Sequence, residues 1–207
     1  MSKRSGYIAA VVSAGAVLTA CVALQEPLVH YYGIDTPGGI GGEEKRPLRV
    51  AIQRMEGRAQ YQRPRMVVSP GDQVVDSFTS AKWVDDPCDM LTDGLVTYLA
   101  QRCEYVTVHP RVYKDAVRYV VVAYLDAFDH VRRDGAWYAC MRVKFDIVDD
   151  ETRAVRYSDW FQRMRVLPDG QVRTYVAAQQ RSVQEWYGVV LAALEHVSKT
   201  SRAAGGQ

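Results

Sequence analysis

The stretch from residue 117 to 166 does most to limit what this chain can fold into. It is written in the two-residue period of extended chain and is divided by turn sequences. It opens with Val117-Arg118-Tyr119-Val120-Val121-Val122-Ala123-Tyr124-Leu125, a β-branched and aromatic run whose unbroken apolar character predicts a central strand covered on both faces. Asp134-Gly135 then supplies a hairpin turn. In the next strand Trp137, Ala139, Met141, Val143, Phe145 and Ile147 point one way, and Tyr138, Cys140, Arg142, Lys144 and Asp146 the other. Asp149-Asp150-Glu151-Thr152 makes a second turn, Val155 to Val166 a third strand, and Pro168-Asp169-Gly170 a third turn.

Shorter β-like segments precede this meander at Leu48 to Gln53, Arg65 to Val68, Gln73 to Ser80 and Tyr105 to His109. Between them lies a helix start. Asp86 can cap free N–H groups, Pro87 suits the first helical position, and Asp89 complements the helix dipole. Leu91, Leu95, Tyr98 and Leu99 continue at helical spacing and predict a helix over about 87–102. At the other end Val183, Trp186, Tyr187, Val190, Leu191, Leu194 and Val197 form an apolar stripe, which predicts a second helix over about 179–198. The fold class that follows is α+β: a mainly antiparallel sheet built on the 117–166 meander, with two helices packed on one face. There is no internal repeat and no sign of a second domain.

The N-terminus reads as a processing signal. Lys3 and Arg4 precede an apolar stretch from Tyr7 to Leu18. That stretch is too short and too rich in Ala and Gly to cross about 30 Å of hydrocarbon, which takes roughly 20 residues, but it suits the apolar core of a secretory leader. Leu18-Thr19-Ala20-Cys21 then resembles a bacterial lipobox, in which small side chains admit the chain to a peptidase and the Cys thiol carries diacylglycerol. Cys21 is therefore the expected lipid-attachment residue. Each buried methylene contributes about 0.8 kcal/mol, so two or three acyl chains hold permanently. Val22 stands where an Asp would favour inner-membrane retention, which points to the inner leaflet of the outer membrane. The expected division is a leader over 1–20, a lipidated N-terminus and flexible tether over 21–47 with Gly38-Gly39-Ile40-Gly41-Gly42 inside it, a folded domain over 48–200 and a disordered tail over 201–207.

Motifs for catalysis or cofactor binding do not emerge, and no enzymatic role, metal or cofactor is expected. The glycine cluster lacks the Gly-Lys-Ser/Thr ending of a phosphate loop, and no Gly-x-Ser-x-Gly elbow occurs. Asp85-Asp86 and Asp149-Asp150 sit at a helix start and in a turn, positions that recruit Asp for local hydrogen bonds. The histidines His30, His109, His130 and His196 are scattered and show no metal-ligand spacing. Cys88, Cys103 and Cys140 read as buried structural thiols; whether any two are bridged is open. A net charge of +2 with dispersed Lys and Arg argues against nucleic acid as a partner.

Several segments, taken in order, resemble the auxiliary lipoprotein family of ABC-type transporters of the MCE class, the PqiC-like lipoproteins. They are Tyr31-Tyr32-Gly33-Ile34 about ten residues after Cys21, then Leu48-Arg49-Val50, Tyr61-Gln62-Arg63-Pro64-Arg65-Met66-Val67-Val68 and Lys82-Trp83-Val84-Asp85-Asp86-Pro87. Phe145-Asp146-Ile147-Val148-Asp149 and the Ala/Leu-rich closing helix complete the match. The resemblance implies a docking subunit, anchored through its lipid, that accompanies an MCE-domain protein, a permease and an ATPase moving lipids or other apolar molecules between two membranes. Tyr61, Arg63, Met66 and Trp83 are its candidate partner contacts, with packing beneath the helix as the favoured alternative for Trp83. A lipoprotein assembly factor of another outer-membrane complex is the alternative, a lipid-anchored envelope hydrolase is a third reading, and self-association is left open.

Overall fold

The computed structural model of the chain describes residues 28–36, 44–71, 74–109 and 117–205. The leader over 1–20, Cys21, tether residues 22–27 and 37–43, and the last two residues lie outside the described residues. Strands β1 (His30–Tyr32), β2 (Arg46–Gln53), β3 (Glu56–Gly57), β4 (Arg65–Gly71) and β5 (Val74–Trp83) are followed by helix α1 (Pro87–Ala100) and β6 (Cys103–His109). The meander β7 (Tyr119–Arg133), β8 (Ala136–Asp149) and β9 (Val155–Leu167) then leads into helix α2 (Val172–Gly205).

The nine strands of the described residues join one sheet whose spine is β7. One edge of β7 pairs antiparallel with β8 along its whole length, from Tyr119 opposite Asp149 to Arg133 opposite Ala136. The other edge takes three strands in succession, all parallel: β2 at 119–121, β3 at 124–125 and β4 at 129–131. Beyond them β6 runs parallel to β2, β5 antiparallel to β4, and β1 parallel to β5. The α+β class and the antiparallel meander are as the sequence predicts, but the sheet is mixed. Parallel neighbours are brought together by long connections, and no local pattern records them.

Turn chemistry explains the meander. Asp134 and Gly135 both take positive φ, 51° and 79°, as a two-residue hairpin loop demands. In the next turn the buried Asp149 carboxylate accepts the N–H groups of Glu151 and Thr152 at 3.2 and 3.0 Å, and Arg118 meets it at 3.0 Å. Burial works against the Asp149 charge, yet these donors hold its pKa below the ordinary value. A bulge at Asp126 lets β7 change faces midway, so that Leu125 and Phe128 both turn inward.

The inward face of β8, Ala139 through Ile147 at alternate positions, is fully buried beneath α2. Asp86 caps α1 by accepting the Asp89 N–H at 2.8 Å, and Leu91, Leu95 and Leu99 turn into the core. Helix α2 is longer than its stripe predicts. Asp169 receives the Gln171 N–H at 3.0 Å and the Thr174 hydroxyl, which starts the helix at Val172. The expected tail continues as helix to Gly205, since Ser201-Arg202-Ala203-Ala204 contains no breaker. The tether also shrinks from within: β1 pairs with β5, Asp35 is clamped at its N–H and its carbonyl by Gln180, and β2 begins at Arg46. A tyrosine-rich run next to a free strand edge gains packing and ladder bonds that outweigh the tether's entropy.

At the centre of the core His130 is caged by Trp137, Tyr175 and Phe78, with ring centroids 4.4, 5.1 and 5.5 Å away. Neither imidazole nitrogen has a hydrogen-bond partner among the described residues. Burial pushes the His130 pKa down from 6.5 to about 4, with Asp169 pulling the other way. Across that window the unfolded chain binds a proton that the folded chain does not. The stability tied to neutral His130 is therefore complete above pH 6.5 and is lost as the pH falls towards 4, by up to about 3 kcal/mol. His130→Phe is expected to flatten this acid-side slope in urea unfolding between about pH 7 and about pH 4.5; an unaltered slope would assign it to other groups.

A second prediction concerns α1. A Cβ on Gly94 would lie 2.0 Å from Tyr187 Oη, whose hydroxyl donates to the Leu91 carbonyl at 3.3 Å. In a free helix Gly→Ala gains about 1 kcal/mol. Here Gly94→Ala is expected to lose about 1–3 kcal/mol through overpacking, and adding Tyr187→Phe should recover part of the loss. Thermal unfolding of both single variants and the double variant would reveal this; strict additivity would contradict the contact.

Candidate functional site

Because α2 covers one side of the meander, its other side is open. The register aligns three rows of side chains there across β7, β8 and β9: Tyr124–Lys144–Trp160, Asp129–Cys140–Met164 and Val131–Tyr138–Val166. Tyr124, Trp160, Met164 and Val166 are 40%, 45%, 47% and 70% exposed, which is unusual for four large apolar side chains on one face. Charged neighbours fix this surface. The Arg142 guanidinium lies 4.4 Å over the Trp160 ring and 3.4 Å from Asp126, whose other oxygen accepts from Arg58 at 2.6 Å. Lys144 bridges Asp146, at 2.9 Å, to Ser158 on β9.

β9 pairs only with β8, so its outer edge presents a row of main-chain N–H and C=O groups thirteen residues long that no described strand covers. On the helix side this strand is tied down by Arg163 and Arg165, both bound to Glu185 of α2. An aromatic, Met and Arg surface beside an unpaired strand edge has the composition and geometry for binding a protein partner.

Of the contact candidates chosen from sequence, Arg63 alone is exposed. Tyr61, Met66 and Trp83 are buried and belong to the core. The Tyr61 hydroxyl donates to Asp129 Oδ1 at 2.6 Å, and burial pushes the pKa of both groups up. Trp83 packs against the rings of Phe128 and Tyr175 at 5.3 and 5.8 Å. Met66 on β4 beside β7, Tyr61 at the end of a 3-10 turn over 59–61 and Trp83 at the end of β5 all turn inward. The open-face residues Tyr124, Trp160, Met164 and Val166 were missed. Their signal is that β9 carries apolar residues at both parities, Phe161 and Leu167 turning inward and Trp160, Met164 and Val166 outward. Cys21 lies outside the described residues.

The remaining reactive groups are held in structural roles. Cys88, Cys103 and Cys140 are free thiols, and burial pushes their pKa values up to about 12, 11 and 11, which leaves little thiolate at neutral pH. Asp85, Asp86 and Asp89 approach within 4.8 Å of one another. Asp86 caps α1, and Arg54 pairs with both Asp86, at 3.7 Å, and Asp89. An open cleft of about 630 Å³ lies beside them, lined by Gln53, Arg54, Met55, Glu56, Gln62, Asp86 and Cys88. The Cys88 thiol in its lining is protonated at neutral pH.

Comparison with known proteins agrees with this architecture. The protein XCC0632 of Xanthomonas campestris, known from a crystal structure, superposes with a TM-score of 0.72 at 12% identity, over 84% of this chain and 99% of its own. A second crystal structure, of an uncharacterised protein, gives a TM-score of 0.57 at 10% identity, over 79% of this chain and 96% of its own. At such identities the likeness speaks for the fold alone. No curated protein matches the sequence. The profile of the ABC-type transport auxiliary lipoprotein components matches residues 36–187, a span that runs from the clamp at Asp35 into α2 and takes in the open face, and the chain belongs to that family.

Proposed function

We propose that this chain is the lipid-anchored docking subunit of an MCE-type ABC transport system that moves lipids or other apolar molecules between the inner and outer membranes. Family membership makes it an auxiliary component of an ABC-type transporter held at an envelope membrane. No helix among the described residues is long and apolar enough to cross a bilayer, so attachment through diacylglycerol on Cys21 supplies the anchor in this reading. Val22, next to that residue, favours the inner leaflet of the outer membrane.

The observation that carries the docking role is the open face with its unpaired β9 edge. The role is contact and not turnover. The MCE-domain protein of the same system would add backbone hydrogen bonds along β9 and cover Trp160, Met164 and Val166, while the permease and ATPase are reached through it. Arg142, already stacked on Trp160, keeps that ring in place and lowers the entropy lost on binding.

Two outcomes test this reading. Cys21→Ser should move the protein from the membrane fraction to the soluble periplasm; continued membrane partitioning with cleavage at the same bond would refute the anchor. Trp160→Asp combined with Val166→Asp should lower the melting temperature by only a few degrees, since Val166 is largely exposed and Trp160 about half exposed. It should also cut recovery of the MCE-domain protein, in affinity purification of the lipidated chain with mass spectrometry, by at least about tenfold. Undiminished recovery would place the contact elsewhere, and recovery of a different outer-membrane assembly from the native chain would replace the transport reading.

A further inference from the structure

The sheet has a second apolar margin, at the strand most distant from β9. The path β1–β5–β4–β7–β8–β9 crosses five strand spacings, about 24 Å measured along the sheet. At the β1 end Leu28, Tyr31 and Val84 are 75%, 62% and 59% exposed. Tyr31 and Val84 form one surface, and Leu28 lies three residues before Tyr31, on the anchor side of β1. Tyr31 stands opposite Lys82 in the ladder, the Val84 N–H donates to the Tyr32 carbonyl at 2.9 Å, and Val84 Cγ2 would touch a Cβ on Gly33 at 3.7 Å. Alternation therefore puts Tyr31, Lys82 and Val84 on one side, while Tyr32 and Trp83 turn towards the core.

We propose that this β1 margin faces the membrane, with Leu28, Tyr31 and Val84 resting in the headgroup region of the bilayer that holds the acyl chains of Cys21. The inference rests on the lipid-anchor reading and adds an orientation to it. Its physical basis is chain length. The strand pairing of His30–Tyr32 and the Gln180 clamp on Asp35 bring the ordered fold close to the anchor. Seven Cα-to-Cα steps separate Cys21 from Leu28, so the tether reaches at most about 25 Å. A surface held that near a bilayer spends much of its time against it. Its chemistry suits the interface: two aliphatic side chains, an amphipathic Tyr, and a Lys able to lift its ammonium group among phosphates. Asp85, exposed at the next position, ends the apolar strip. In this orientation β9 projects away from the anchoring leaflet, towards a partner arriving from across the periplasm.

The test uses the full-length lipidated protein in vesicles of phosphatidylethanolamine and phosphatidylglycerol that carry a nitroxide high on the acyl chain. In a Cys140→Ser background, a fluorophore is attached at Tyr31→Cys, at Val84→Cys or, as the distal control, at Met164→Cys. Quenching at the first two sites is expected to exceed that at the control by at least about twofold, and to vanish in the Cys21→Ser form. Either of the first two variants carries the test if the other fails to fold. Equal or absent quenching at these sites, with the N-terminal mass showing an acylated Cys21, overturns the orientation and leaves the anchor standing. A Cys21 without lipid overturns both.

Discussion

The pairing of β7 is the constraint on which the rest of the structure depends. One strand of fifteen residues holds β8 along one edge and β2, β3 and β4 in sequence along the other. The first half of the chain has no shared sheet of its own; it becomes one only by adding to this strand. The bulge at Asp126 has a similar reach. By reversing the facing of β7 midway it puts Phe128 and His130 into the aromatic core and leaves Asp129 to receive the Tyr61 hydroxyl. Asp126 itself orients Arg58 and Arg142, and through Arg142 the Trp160 ring. An irregularity of one residue thus links the packing of the interior to the shape of the open face.

The core is aromatic where helix α2 crosses the sheet, and its polar atoms are sparsely satisfied. Tyr175 donates to the Phe128 carbonyl at 2.9 Å, and Gln179 to that of Cys140 at 3.0 Å, tying α2 to β7 and β8 through main-chain acceptors. His130 takes part as a flat neutral ring among other rings. Such a centre tolerates little change in shape and fixes the two sheet margins relative to each other. One margin carries β1, the other carries β9.

Much of this was legible in the sequence, and the boundary is physical. The strands of the meander, their turns and the inward set Ala139, Met141, Val143, Phe145 and Ile147 follow from periodicity, because each signal is local. The start of α1 is readable for the same reason: Asp86, Pro87 and Asp89 act within one turn. The parallel ladders were not legible, since Val50 meets Tyr119 only through the whole fold. Tyr61 and Met66 read as partner contacts, and Trp83 as either contact or core, because large side chains serve interfaces and interiors equally well; only their place in the fold decides between the two. Arg63 stayed outside, and the true open face was hidden in β9, where apolar residues of both parities blur the alternation. The β1 segment falls inside the tether by composition, with Tyr31-Tyr32 as an early start of the folded part, because three residues make too short a pattern to register as a strand.

The long reach of the parallel ladders has a consequence for the order in which the fold can close. Strands β2 and β3 find their place against β7 only when residues 119–125 are present, about seventy positions further along the chain, and such distant closures form slowly. A polypeptide emerging from the ribosome would therefore remain open and threadable over most of its length until nearly two-thirds of it had been made. In the lipoprotein reading proposed above, this delay keeps the chain competent for a narrow secretion channel, and folding is completed on the far side.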